Sequence, residues 1–353
     1  MEDTGRITIK EIARMCGVST QTVSRVINKR PDVSPRTREA VEAAIAATGF
    51  HPSAVARSLV HRRSQTLGVV VAGLRYFGVA QTLNGITEEA QAAGYGLLLK
   101  EIDSAERVDI MPVMEFMVAH RVEGVIFAVP QIGTNIATVR DQLPGASPPM
   151  VFLKSEASSA FSTIVIDNFG GAQLATRHLL SLGRRRVAHV AGPGPWREAR
   201  DRRDGWLAAV RDAGLEPGSA TVGTWSAESG VAAFDAMIER DPATDAIFVA
   251  NDQMALGVLR AAHARGIRVP DDIAVVGFDG LDEAAQFTPS LTTVVQPLRE
   301  LGELGVRELL ASTETNGTGV RNRVLATELV IRESAPAPSQ VHGRPATGGG
   351  RLV

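Results

Sequence analysis

Cysteine is nearly missing from this chain: of 353 residues only Cys16 is one. No internal disulfide is available, and a single thiol builds no zinc site of cysteine spacing, so a reducing cytoplasm is the expected setting. Long apolar runs are missing too. None approaches the roughly eighteen residues of a membrane-spanning helix. The start, Met1-Glu2-Asp3-Thr4-Gly5-Arg6, has neither a basic cluster leading an apolar stretch nor a cleavage site, which argues against export. Catalytic signatures are also lacking. Gly192-Pro193-Gly194 follows an expected strand, but Arg197 stands where a dinucleotide fingerprint needs its third glycine. There is no phosphate-binding loop and no Gly-x-Ser-x-Gly elbow. The 7 histidines, from His51 to His342, show no metal-ligand spacing. An enzyme, a metal and a cofactor are therefore not expected.

What remains is a globular composition, 44% hydrophobic and 22% charged, in a chain long enough for about two or three domains. The net charge of -2 hides an asymmetry. Residues 1–63 carry 11 Lys/Arg against 6 Asp/Glu, a balance of +5, and the remainder carries 26 against 33, or -7. A basic head ahead of an acidic body suits a polyanion partner, although a solvated basic face would have the same balance.

The head reads as three short helices. Thr8 with Glu11 forms a capping box, and Ile9, Ile12, Ala13 and Cys16 make an apolar stripe before Gly17. Ser19 caps a second helix that carries Val23, Val26 and Ile27 inward and ends at Asn28. Ser34-Pro35 opens a third, running through Val41, Ala44 and Ile45 to Gly49. Two helices joined across Gly17-Val18-Ser19 form a helix-turn-helix, whose second helix enters a major groove. Thr20, Gln21 and Arg25 would then face base edges, with Gln pairing to adenine and Arg to guanine. Ser19, Thr22, Ser24 and Asn28 would hold phosphates. The plainer alternative is a structural three-helix bundle.

From Ser64 onward short apolar strands alternate with helices. Expected strands are Leu67 to Val71, Gly96 to Leu99, Gly124 to Val129, Met150 to Leu153 and Ile164 to Ile166, followed by Val187 to Val190, Thr221 to Gly223, Ala246 to Val249 and Ile273 to Val276. Helices are expected near Ala80 to Ala93, Ala105 to His120, Asn135 to Gln142, Gly170 to Leu182, Arg200 to Ala213, Gly230 to Arg240 and Gln253 to Arg265. Two parallel α/β units in series imply a bilobal body with its cleft at the carboxyl ends of both sets of strands.

Ile12-Ala13, Gly17-Val18-Ser19, Thr22-Val23-Ser24-Arg25-Val26-Ile27-Asn28 and Val33-Ser34 through Thr37-Arg38 resemble the DNA-binding head of the lactose/galactose repressor family. His51-Pro52-Ser53-Ala54-Val55-Ala56-Arg57-Ser58-Leu59 resembles that family's hinge helix. Leu59 stands at the position that wedges into the minor groove, with Val55 on the same face and Ala56 beside it. Seven residues are too few for a stable isolated helix, so such a segment needs a partner helix and DNA to order it. Without the head beside it, the stretch would read as a plain linker.

The likeness continues through Val165-Ile166-Asp167-Asn168, Arg177-His178-Leu179, Val249-Ala250-Asn251-Asp252-Gln253-Met254-Ala255, Val269-Pro270, Val275-Val276-Gly277-Phe278-Asp279 and Leu291-Thr292-Thr293-Val294, to about Arg332. It implies a helix-turn-helix head over residues 1–50, a hinge and linker over 51–65, and an effector-binding and dimerisation domain over 66–333, similar to periplasmic sugar-binding proteins. One lobe would take 66–166 and 297–325, the other 167–296 and 326–333. Residues 334–353, rich in Pro, Gly, Ala and Ser and without a leucine heptad, are expected to be a disordered tail.

By the same resemblance Arg200, Asn251, Asp279 and Gln296 would bind the effector, with Trp225 as an apolar wall and Trp196 and Lys154 nearby. Such groups suit a sugar or sugar derivative, because carboxylate, guanidinium and amide bond to hydroxyls while an indole covers a ring face. Each has a plainer reading: Arg200 lies in a charged run typical of a solvated helix face, Asp279 could cap a turn, and Trp225 could be core. Arg75-Tyr76-Phe77-Gly78 replaces the family's Asn-Pro-Phe-Phe, leaving Tyr76 or Phe77 to reach the ligand. Lys154 stands where one member has an acidic residue, so with Arg200 it could favour an anionic or differently hydroxylated ligand. The resemblance implies a cytoplasmic, ligand-responsive repressor, acting as a homodimer on a pseudo-palindromic operator in double-stranded DNA. The competing reading, a sugar-binding protein of transport, needs export and does not explain the head.

Overall fold

The computed structural model describes residues 7–50, 64–143, 147–314 and 319–338. The backbone divides into two compact units between Gln65 and Thr66.

The first unit holds α1 (Ile9–Met15), α2 (Thr20–Ile27) and α3 (Pro35–Thr48). Each start is fixed by a side chain that satisfies a first-turn amide. The Glu11 amide donates to Thr8 Oγ1 while the Thr8 amide donates to the Glu11 carboxylate at 2.7 Å, closing the capping box. Ser19 and Ser34 accept from the amides of Thr22 and Thr37, and Pro35 pre-sets the first turn of α3. Gly17, at φ 62°, takes the left-handed turn between α1 and α2. Ile12, Ala13, Val23, Val26, Val41 and Phe50 form the core of this unit.

The second unit contains two six-stranded sheets. The first is built from β1 (Thr66–Val71), β2 (Gly96–Glu101), β3 (Val125–Ala128), β4 (Met150–Leu153), β5 (Ser162–Ile166) and β11 (Asn322–Leu325), in the order β11-β5-β4-β3-β1-β2. The second uses β6 (Val187–Ala191), β7 (Ala220–Val222), β8 (Ala246–Val249), β9 (Ala274–Asp279), β10 (Thr292–Val295) and β12 (Glu328–Val330), in the order β12-β10-β9-β8-β6-β7. Every pairing is parallel except β10 with β12. The crossovers are α4 (Phe77–Ala92), α5 (Ile110–Ala119), α6 (Asn135–Gln142) and α11 (Leu298–Glu314) on the first sheet. On the second they are α7 (Asn168–Ser181), α8 (Arg197–Asp212), α9 (Ala227–Arg240) and α10 (Asp252–Ala264). Helices on both faces explain why β3, β4 and β8 are apolar without alternation and buried along their whole length. Full burial of such a Val, Ile or Phe contributes about 1.5–3 kcal/mol relative to exposure.

Glycine permits the closest helix contacts. A Cβ on Gly257 of α10 would lie 1.9 Å from the Ala227 carbonyl oxygen, and one on Gly85 of α4 would lie 2.0 Å from that of Arg299. The chain passes between the sheets three times, at residues 166–168, 295–298 and 325–328, and the Asp167 amide donates to the Leu325 carbonyl at 2.8 Å, tying two passages together.

Several sequence expectations shift. The helix expected from Ala105 starts at Ile110, where Asp109 caps the first turn by accepting from the Met111 amide. Those expected from Ala80 and Arg200 start at Phe77 and Arg197. Periodicity alone did not mark β10, α11, β11 and β12. The expected tail is corrected at its beginning: Ser334 and Ala335 are fully buried. The Ser334 hydroxyl donates to the Val275 carbonyl and accepts from the Thr292 amide, closing the edge of the second sheet. Composition missed this because two small residues suffice to plug an edge.

Candidate functional site

On the first unit, Ser19, Thr20, Gln21 and Arg25 are exposed, while Thr22, Ser24 and Asn28 are half-buried. Arg25 lies 3.6 Å from Asp32 in a solvent-exposed ion pair, worth little and readily exchanged for another anion. Ser19 and Thr22 share a hydroxyl contact at the start of α2, and the Asn28 amide donates to Ser24 at its end. Thr20, Gln21 and Arg25 therefore form the freer surface. Val55, Ala56 and Leu59 lie outside the described residues.

On the second unit a cleft of about 490 Å³ opens between the two sheets. Its lining comes from the carboxyl ends of strands and the helix starts that follow, where parallel α/β sheets place ligands. Tyr76 follows β1, Lys154 follows β4 and Asn168 follows β5; Trp196, Trp225, Asn251, Asp279 and Gln296 belong to the ends of β6 through β10. Trp196 stands edge-on to both Tyr76, at 5.1 Å between ring centroids, and Trp225, at 5.7 Å. The Trp225 ring fits over Gly192, where a Cβ would come within 2.1 Å of the indole. Trp225 thus belongs to both readings, packed on the second lobe's core and lining the cleft.

Arg200 does not line this cleft. Its guanidinium turns back to the carbonyls of Pro195 and Gly194, at 2.6 and 3.3 Å. The cleft arginine is Arg202, buried beneath the floor. It donates to Asn168 Oδ1 at 2.8 Å, to the Ala250 carbonyl and to Asp279 Oδ1 at 3.2 Å, and it stacks 3.9 Å over the Phe278 ring. The reason is helix phase: residues two apart on α8 project from nearly opposite sides. The bonds of Arg202 to Asn168 and Asp279, against those of Arg200 to Gly194 and Pro195, show which arginine turns inward.

Asp279 occupies the last position of β9 at φ 115°. Its Oδ1 accepts from Arg202 and, at 2.7 Å, from Gln296 Nε2. Burial pushes its carboxyl up, and Arg202 and Gln296 pull it back. The turn after Asp279 is held by a different carboxylate, one absent from the sequence-based set. Asp252, fully buried, accepts from the amides of Gly280 and Leu281 at 2.9 and 2.8 Å and from the Thr293 hydroxyl at 2.6 Å. Burial first, then the Asp279 charge, raises it to about 7. The Asn-Asp pair after β8 was the available signal, since Asn251 caps α10 and the next residue then points back under the sheet.

Lys154 donates to the Gly78 carbonyl at 2.8 Å, and burial lowers its ammonium to about 8 against the pull of Glu198 and Asp279. Glu198, on the first turn of α8, also lines the cleft and was likewise missed. Burial raises its carboxyl, and Oε2 has no hydrogen-bond partner. The indole N–H of Trp225 is buried and unpartnered as well. The cleft therefore offers acceptors, donors and aromatic walls together, the chemistry that recognises a polyhydroxylated molecule. Among the described residues no group of three or more His, Cys, Asp or Glu could hold a metal ion, and no helix is long and apolar enough to cross a membrane.

Comparison with known proteins agrees with both units. Residues 8–53 match the bacterial regulatory proteins of the lacI family, and residues 176–335 match the periplasmic binding protein-like domain. The chain is 33% identical over 334 residues to the lactose operon repressor of Escherichia coli (strain K12), covering 94% of this chain and 92% of that protein. Its structure resembles a lac repressor dimer bound to operator and the anti-inducer ONPF, with TM-score 0.85 and 32% identity over 94% of this chain and 100% of the other. It also resembles a complex of the transcriptional regulator CelR with cellobiose, with TM-score 0.69 and 32% identity over 93% of this chain and 100% of that one.

Proposed function

We propose how this protein works from the premise that the chain belongs to the lacI family of bacterial regulatory proteins. It is a ligand-responsive transcription regulator, and its relatives are repressors rather than enzymes. On this reading it acts in the cytoplasm as a homodimer on a pseudo-palindromic operator, one α2 per half-site, with a sugar or sugar derivative as effector. Thr20, Gln21 and Arg25 read bases, while Ser19, Thr22, Ser24 and Asn28 serve the backbone. Val55, Ala56 and Leu59 form the hinge contact that the sequence resemblance implies. In the cleft Asn251, Asp279, Gln296, Trp225, Trp196, Lys154 and Tyr76 hold the effector, and Arg202 takes the place first given to Arg200.

The carrying observation is that one chain combines an exposed Thr20-Gln21-Arg25 face with a charged, aromatic-walled cleft at the carboxyl ends of two sheets. Three chain passages between the lobes make a natural hinge, so a ligand that touches both lobes favours one lobe angle over another. A coupling of about 1–3 kcal/mol would change operator occupancy roughly 5- to 150-fold. The test uses an operator selected from random duplexes. Arg25→Ala should lose about 1–3 kcal/mol of specific binding while keeping the weak, salt-sensitive nonspecific affinity. An unchanged preferred site in the variant would remove α2 as the reader.

A further inference from the structure

Two oppositely charged side chains from different lobes line the cleft: Lys154 from the end of β4 in the first, Glu198 from the start of α8 in the second. Each pulls the other back towards its charged form against the cost of burial. Deeper in the same cleft Arg202 is matched by Asp279 at 3.2 Å, and at its edge Arg197 by Asp201 at 3.5 Å. Arg75, the remaining lining cation, is exposed and lies against the Tyr76 ring at 4.6 Å. The buried charges therefore cancel, and the one lining cation without a carboxylate, Arg75, is exposed to solvent and donates to the Tyr76 hydroxyl at 2.7 Å. A carboxylate or phosphate entering here would place uncompensated negative charge beside Glu198 and Asp279, which burial makes expensive. A hydroxyl carries no such cost, and Glu198 Oε2 and the Trp225 N–H, on two residues that line the cleft, are left without partners.

Size and walls point the same way. A cleft of about 490 Å³ lies within the range of about 300–1,000 Å³ that encloses a drug-sized ligand, and one pyranose ring would leave much of it to water. Tyr76, Trp196 and Trp225 stand in a row with successive rings turned by 79° and 73°. They offer apolar faces in different orientations, which a single flat ring cannot cover together.

We propose, resting on the reading of this cleft as the effector site, that the effector is an uncharged glycoside of at least two sugar rings, and that Glu198 is a specificity-determining residue accepting one of its hydroxyls. Of the two ligands that Lys154 suggested, anionic or differently hydroxylated, this favours the second, because Glu198 opposes its charge. The experiment is calorimetry on the full chain with neutral disaccharides (cellobiose, maltose, lactose), single sugars (glucose, galactose, ribose) and charged ones (glucuronate, glucose 6-phosphate). A neutral disaccharide should bind at least tenfold tighter than every single or charged sugar. Glu198→Gln should lose at least tenfold for that disaccharide and narrow the gap to glucuronate, with operator binding in the absence of sugar confirming the fold. A charged or single-ring sugar binding tightest, or no member of the panel binding, overturns the proposal. Gln296→Ala separates the two levels. If a wrong-class ligand is weakened by it, the cleft remains the effector site and only its assigned chemistry fails; a ligand indifferent to it binds elsewhere, and the reading of the cleft fails too.

Discussion

The Arg202–Asp279 pair allows a quantitative test of what holds the cleft floor. Both side chains are almost fully enclosed, at 5% and 11% exposure. Arg202→Met strands the Asp279 carboxylate with Gln296 as its neighbouring donor and removes the donors to Asn168 and the Ala250 carbonyl. Breaking a buried pair in this way costs about 3–5 kcal/mol. Asp279→Leu strands the guanidinium instead, at a similar cost. The double variant leaves neither charge, so its cost should fall short of the sum by about 2–3 kcal/mol. All three tryptophans of the chain, Trp196, Trp206 and Trp225, lie in the second lobe, so their emission in urea reports that lobe. With a slope of about 3 kcal/mol per M, each single variant should lower the midpoint by about 1–1.7 M. The cost of Arg202→Met should also shrink between pH 7.5 and pH 5. The Asp279 pKa is already raised by burial and rises further without its cation, so acid neutralises the stranded charge. Strict additivity of the two single costs, or a cost independent of pH, would refute the argument.

Gly257→Ala should destabilise by about 1–3 kcal/mol despite the better helix propensity of alanine, because the new Cβ meets the Ala227 carbonyl at 1.9 Å; a gain in urea midpoint would show that α9 and α10 can separate freely. Asp252, raised to about 7, keeps a proton in the folded state that the unfolded chain releases near pH 4, so its contribution to stability declines as pH rises from about 4 to 7. Asp252→Asn keeps an acceptor for the Gly280 and Leu281 amides and should flatten that decline in unfolding midpoints measured at pH 5 and pH 8; an unchanged slope would assign the effect elsewhere. Gly192→Ala should push the Trp225 ring from its seat and cost at least tenfold in effector affinity, read by titration, while operator binding without effector stays as it was.

Much of the molecule was legible in the chain because its signals are local. Thr8, Ser19 and Ser34 cap helices with their own side chains, Gly17 takes the one backbone conformation the turn needs, and unbroken apolar runs such as Met150–Leu153 mark strands covered on both faces. The resemblance placed Asn251, Asp279 and Gln296, and these three do converge in the cleft. It failed at Arg200, since adjacent arginines in Arg200-Asp201-Arg202-Arg203 look alike in sequence, while a shift of two residues turns a helical side chain from the floor of the cleft to its outer side. Glu198 gave no local signal, since the charge that most opposes its burial, Lys154, lies far away along the chain, and Asp252 was marked only by following Asn251, because the amides it holds, those of Gly280 and Leu281, are distant too. Local chemistry thus determined most element positions and that a three-helix head precedes an α/β body. Which charges are buried, which cancel and which hydrogen-bonding groups are left over for a ligand was decided only when the two sheets brought distant strand ends together, because desolvation and Coulomb attraction depend on distance in space.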